Sequence, residues 1–479
     1  MSRRAWGVVG VVVVVLTVAS VGYGYHRDEF YFLAAGRHLA WGYPDQPPFT
    51  PLLAWLADAI SPGDVWALRI PATIASALTV LLVAFTAKEM GASRRGQFLA
   101  AAFTAASGYV LIFGHMLYTV TTDLFFSALV AWLVTRLIRT RDQRLLVALG
   151  AVIGVGLLNK TLLALLIVAL LIGLLVSGPR EVLRGKWLAA GIAIAVVLWL
   201  PNLIWQAQNG WPQLEMIGLL SKEANMGGRV GFIPFQFVLF GPPLAPVWIA
   251  GLVTLLRTKE FRALGVAYLV MAALLLIGGG AAYYLAGAYP ALVAAGAMAV
   301  DGWLTRTWRT ALVTAAVVST AATNALLGLP IVPVDQLAKT PILAMYKEAG
   351  EQVGWPQLAD AVAKVHDGLT AQERARATII ASNYGQAGAL TRYGPERGLP
   401  AVYSGQNGYG YWELPPDRVD VVIVVGGGTW TSACKELTDA ATVDNGYGVD
   451  NDEQGNRIRV CRGLTKSWQE LWPEMRRLS

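Results

Sequence analysis

Asp28 and Glu29 follow directly on the first long apolar run, residues 6–25, and Asp45 opens a stretch stiffened by Pro47, Pro48 and Pro51. Carboxylates at the mouth of a membrane helix are costly unless they are paired or used. One carboxylate can take the proton of an attacking hydroxyl while a cation offsets the charge that develops on a phosphate leaving group. Asp28 is the candidate for the first task, and Arg27 and Lys160 for the second. Glu29, Asp45 and Asp123 approach the same outer face. A plainer reading stands beside each: a helix start for Asp28 and Glu29, a reinforced turn for Asp45, and helix packing or capping for Asp123.

The elements that must hold these residues are membrane helices. Hydrophobic residues make up 55% of the 479 and charged ones only 14%, against about 25% charge in a soluble domain; mean hydropathy is +0.49. The net charge of +7 comes from basic residues at the ends of apolar runs, which is topology and not a nucleic-acid face. Seventeen Trp and seventeen Tyr suit interfacial belts and contacts with membrane lipids. The basic start at Arg3 and Arg4 resembles a secretory signal, but the run to residue 25 outlasts a signal core of about 7–15 residues. It reads as an uncleaved crossing.

About 20 apolar residues span a bilayer as helix. The segments 6–25, 65–87, 97–114, 118–138, 145–159, 161–177, 187–204, 233–256, 263–279, 283–300 and 308–328 predict about eleven crossings. Cutting 145–177 at Asn159-Lys160 keeps Lys160 out of the bilayer centre. With a cytoplasmic N-terminus, the basic clusters at 88–95, 136–144, 180–186, 257–262 and 306–309 fall inside. Arg27, Arg37, Lys160, Lys222 and Arg229 fall outside. This predicts a multi-pass cell-membrane domain over 1–328, with outer loops 26–64 and 205–232, and an extracytoplasmic C-terminus.

From residue 329 the runs shorten. Segments 377–382 and 419–425 read as buried strands, 335–376 as helical with breaks at Pro341 and Pro356, and 426–428 as a glycine turn. The expectation is a soluble extracytoplasmic α/β domain over 329–479. Cys434 and Cys461, the only cysteines, are either bonded or free there. Trp205, Tyr283 and Tyr284 stand at outer helix ends, as belt anchors or as contacts for a lipid and its phosphate. The carboxylates can hold a divalent ion, although no zinc-type spacing is present.

The stretch RDEFYFLAAGRHLAWGYPDQPPFTPLLAWL, with YTVTTDLFFSAL around Asp123 and GLLNKTLLALL around Lys160, resembles the protein O-mannosyltransferase and aminoarabinose-transferase superfamily of the GT-C fold. PNLIWQAQNGWP, AAYYLAGAYPALVAAGA, SNYGQAGALTRYG and YSGQNGYGYW are similar to bacterial members. Gln46 departs from the pattern, standing where the family commonly has Lys. The resemblance implies an inverting glycosyltransferase that moves a sugar from a polyprenyl-monophosphate donor to an extracytoplasmic protein, lipid or glycan. It makes Asp28 the candidate catalytic residue, Glu29, Asp45 and Asp123 contacts that position the acceptor or sugar, and Lys160, with Arg27, a phosphate contact. A flippase or transporter for a lipid-linked intermediate would instead place charges along a path at mid-bilayer. A non-catalytic assembly partner is the third class.

Overall fold

The computed structural model describes residues 1–220 and 228–478; Lys222, within the expected outer loop 205–232, lies outside them. Among the described residues, five helices are long and apolar enough to cross a membrane: Val65–Glu89, Thr119–Thr140, Lys186–Gln208, Ala282–Trp303 and Thr307–Gly328. A sixth span arises only if Gly228–Phe240 and Pro242–Arg257, bent by 89°, are taken together. This corrects the eleven crossings expected from the sequence. Apolarity marked helical segments, but several stop short of a bilayer's thickness. The first helix ends at Ala19, the expected 97–114 breaks at an extended Ser107, and Leu145–Leu157, Leu163–Ser177 and Arg262–Gly278 have 13, 15 and 17 residues.

The chain divides into two compact units. The first comprises Met1–Ser20, Gln46–Thr50 and Arg69–Leu329. Its helices approach closely where small residues let backbones touch. A Cβ on Gly150 or Gly191 would strike the facing backbone of the other helix, and the same holds for Gly251 against Leu292 and Gly296 against Val247. Lys186–Gln208 and Thr307–Gly328 leave Ile192, Val197, Leu312 and Val318 exposed, an apolar surface suited to lipid. The chain is a multi-pass membrane protein.

The second unit comprises Val21–Asp45, Pro51–Leu68 and Pro330–Ser479. Its sheet contains β1 (Ala377–Ala381), β2 (Val402–Ser404), β3 (Val421–Val425), β4 (Cys434–Thr442) and β5 (Arg457–Leu464) in the order β2-β1-β3-β5-β4. β1 runs parallel to β2 and β3, while β5 is antiparallel to β3 and β4. β3 is buried along its whole length, as its unbroken run of Val and Ile requires. One core joins Ile380, Val422, Val424 and Cys461 to Trp468, Leu471 and Trp472 of the helix Trp468–Met475. Pro341 caps a short helix at Ile342–Met345 and Pro356 opens Trp355–Asp367. Cys434 and Cys461 form a disulfide with Cα atoms 5.5 Å apart.

The helix Arg27–Arg37 packs against Tyr384–Tyr393 within this unit. Phe30 is the wedge, edge-on to Trp355 at 5.5 Å and to Tyr393 at 5.9 Å, and only a glycine at 388 leaves room for it.

Candidate active-site residues

In the second unit the helix Arg27–Arg37 starts with a capping box. The Glu29 carboxylate accepts the His26 amide at 2.9 Å, while the Asp28 amide donates to the His26 ring at 3.2 Å. Glu29 is fully buried in this role. Asp28, in the same first turn, points elsewhere: the Tyr384 hydroxyl donates to it at 2.8 Å. Burial, with the Asp28 charge adding to it, holds the Tyr384 hydroxyl well above its ordinary pKa, so it stays a donor.

Asp45 has a second tyrosine. The buried Tyr31 hydroxyl donates to its carboxylate at 2.5 Å and accepts the Gly408 amide at 2.9 Å. Asp45 is half-buried as a residue, with its carboxyl turned inward. Desolvation pushes that carboxyl up to about 7, against the lowering effect of the Tyr31 hydrogen bond.

Arg27 is held by acids. Its guanidinium donates to Asp452 at 2.6 Å and Glu348 at 3.2 Å, and lies 3.9 Å from both Glu351 and Asp28. Four carboxylates already share the charge that the sequence assigned to a phosphate. Burial lifts the Glu351 carboxyl to about 7 although Arg27 draws it down.

The raised carboxyls at 45 and 351 set a pH dependence. An acid with a higher pKa folded than unfolded, where about 4 is usual, binds its proton preferentially in the folded state. Stability therefore falls as pH climbs from about 4 to about 7 and stays reduced above that. The unfolding midpoint should drop between pH 5 and pH 8. Asp45→Asn should remove part of that drop in thermal melts, and an unchanged slope would exclude Asp45 as a source.

In the first unit, Lys160 lies in the turn between Leu145–Leu157 and Leu163–Ser177. Its ammonium sits 5.1 Å from the centre of the Tyr284 ring and 5.8 Å from that of Tyr283, within cation–π range. Asp123 is buried in Thr119–Thr140, with one carboxylate oxygen lacking a hydrogen-bond partner and the Lys160 charge within electrostatic reach.

The sequence reading missed Asn159, which fastens this group. Its side-chain oxygen accepts from Thr50 at 2.9 Å and Thr122 at 2.7 Å, and its NH2 donates to the Thr119 carbonyl at 3.0 Å. The signal was a buried-type amide beside the lysine at a helix break. Gln46 is also buried, and among the described residues neither polar atom of its amide has a partner. Trp205 is half-buried near the end of Lys186–Gln208, its carbonyl accepting from Asn209. Among the described residues no group of three or more His, Cys, Asp or Glu is arranged to hold a metal ion.

Helical spans of this kind joined in one chain to a small mixed sheet define a polytopic membrane protein of the GT-C fold. The sequence model of the dolichyl-phosphate-mannose-protein mannosyltransferases matches residues 45–205, a stretch that contains Asp45, Asp123, Asn159 and Lys160. ArnT from Cupriavidus metallidurans bound to undecaprenyl phosphate is similar in structure, with a TM-score of 0.62 and 15% identity, covering 96% of this chain and 98% of that one. The same protein in the apo state gives a TM-score of 0.57 and 15% identity, over 95% and 96% of the two chains. At this identity the likeness establishes the fold. No curated protein gives a significant match.

Proposed function

We propose that the protein is an inverting glycosyltransferase, moving a sugar from a polyprenyl-monophosphate donor to an acceptor hydroxyl outside the cytoplasm. The observation that carries this reading is the coincidence of a GT-C fold over nearly the whole chain with a mannosyltransferase match over the stretch bearing Asp45, Asp123 and Lys160. The donor class follows the family description and the undecaprenyl phosphate of the structural relative.

Asp28 acts as the base in this scheme. A carboxylate oxygen held by Tyr384 leaves the other oxygen for the acceptor proton, and the tyrosine fixes its direction. Lys160 neutralises the phosphate as the glycosidic bond breaks, with Tyr283 and Tyr284 fixing the ammonium. Inversion requires the attacking hydroxyl to enter opposite the departing phosphate. Asp123 and Asp45 position the sugar or the acceptor. The Gln46 amide supplies neutral hydrogen bonds where the family commonly has lysine, which accounts for a buried amide left without a protein partner. Arg27 and Glu29 take no direct part, because ion pairing and helix capping occupy them.

A polyprenyl tail needs an apolar groove. The first unit has one of about 770 Å³ between helices, lined by Phe103, Pro243, Val247, Trp303, Leu312 and Ala316. The disulfide suits an oxidising compartment, which favours placing the sheet-bearing unit outside the cytoplasm.

The test is reconstitution in liposomes with radiolabelled polyprenyl-phosphate sugars, alongside a comparison of envelope glycans from cells with and without the gene. Loss of one glycan modification and release of polyprenyl phosphate in vitro are expected. A donor that is carried across the bilayer unhydrolysed would refute the transferase reading.

A further inference from the structure

The glycine run 426–428 has no part in the chemistry above, yet it borders a cavity. β1 lies between its parallel neighbours β2 and β3. The chain leaves β1 toward β2 on one side and later returns as β3 on the other. Such a reversal opens a crevice at the carboxyl ends of the strands, where open α/β sheets bind small ligands. Here it is a cavity of about 290 Å³, lined by Ser382 beyond β1, Gly405 beyond β2, Gly427, Thr429 and Trp430 beyond β3, and Arg477 near the C-terminus.

Its chemistry is two-sided. Gly426 has φ +80°, and a Cβ there would strike the Ser382 side chain, so the turn requires glycine. Beyond it, Gly427, Gly428 and Thr429 are exposed, and among the described residues their amides have no acceptor in the protein. The Arg477 guanidinium is fixed at the cavity by a 2.6 Å hydrogen bond to the Ser382 carbonyl. Arg459 lies behind the turn, donating to the Gly426 carbonyl at 3.0 Å. The acidic lining group, Glu474, is paired with Lys466 at 2.6 Å. The balance of charge is positive, with free amides oriented by a turn, a combination that favours anions. Trp430 adds an aromatic wall and Ser382 and Thr429 add hydroxyls, which together match the apolar face and polar rim of a sugar ring.

We propose that this cavity binds a small anionic sugar, one bearing a phosphate or a carboxylate, with its charge on Arg477 and the glycine-run amides and its ring against Trp430. Tyr384, only two residues beyond Ser382, donates to Asp28, so the bound sugar lies at the end of the sheet that faces the Asp28 carboxylate. Its use as part of an acceptor rests on the transferase reading; its binding does not.

Binding is measured by calorimetry on the full chain in detergent, carrying Asp28→Asn so that no turnover intervenes. The probes are glucose 1-phosphate, glucuronate, glucose and inorganic phosphate. Both anionic sugars should bind at least tenfold more tightly than glucose or inorganic phosphate. Arg477→Gln should weaken them tenfold or more, and Arg477→Lys should keep most of the affinity. Thr429→Trp, at an exposed position, should fill the cavity and abolish binding without moving the melting midpoint. Glucose or inorganic phosphate binding as tightly as the anionic sugars would overturn the proposal. So would unchanged affinity in Arg477→Gln or Thr429→Trp, or no binding of any probe.

Discussion

Asp28→Asn should lower sugar transfer about 10³-fold and leave the protein folded. General-base catalysis contributes roughly 10²–10⁴ in rate, and an amide cannot accept the acceptor's proton at neutral pH. The fold should survive because the asparagine oxygen can still receive the Tyr384 hydroxyl, now 2.8 Å away. The helix would lose only an acidic charge from its first turn, worth about 0.3–1 kcal/mol. The capping box of His26 and Glu29 remains. The measurements are transfer in liposomes and the melting midpoint in detergent. Transfer within tenfold of the parent would mean that another group is the base.

Lys160→Met is the second large effect. It keeps most of the unbranched side chain and removes the charge, so transfer should fall about 10²–10³-fold, as when a charge-stabilising donor is removed from a transition state. Stability should fall too, for a separate reason. Lys160 is a cation within electrostatic reach of Asp123, and a buried carboxylate that loses a nearby counter-charge is destabilising. Adding Asp123→Asn to Lys160→Met should restore the melting midpoint and not the transfer. This double-mutant cycle separates the structural work of the pair from its chemical work. If the double variant recovered transfer, Lys160 would act only as a partner for Asp123.

The same two groups show what could be read before folding. Lys160 and Asp123 stood out because charge is rare in apolar segments, and Asp28 because it followed one. Their fasteners did not. Tyr384 is 356 residues from Asp28 in sequence, and Asn159 gains its meaning only when Thr50 and Thr122 are folded around it. Arg27 and Glu29 have the same residue types as catalytic groups; a helix start was one sequence reading of Glu29, and geometry adds its capping bond and the ion-pair hub around Arg27. β1 and β3 were legible as short apolar runs bounded by turns, whereas β2, β4 and β5 were not, because β2 has only three residues and β4 and β5 carry charged and polar side chains. The crossing count was not, since hydropathy measures composition while the length of a helix is set by breaks such as Ser107 and the bend at Gly241.

The disulfide between Cys434 and Cys461 closes a loop of sequence separation 27, and the loop it closes carries Asp452 and Glu453. Asp452 grips Arg27. Glu453 accepts from Asn383, the residue that caps the Tyr384 helix, at 2.8 Å, and from Gln386. Closing such a loop removes about 3 kcal/mol of chain freedom from the unfolded state. Oxidation therefore favours the arrangement in which Tyr384 meets Asp28. A chain with both cysteines reduced holds that arrangement less firmly, so the reach of the Asp28 carboxylate is tuned from a covalent bond far along the sequence.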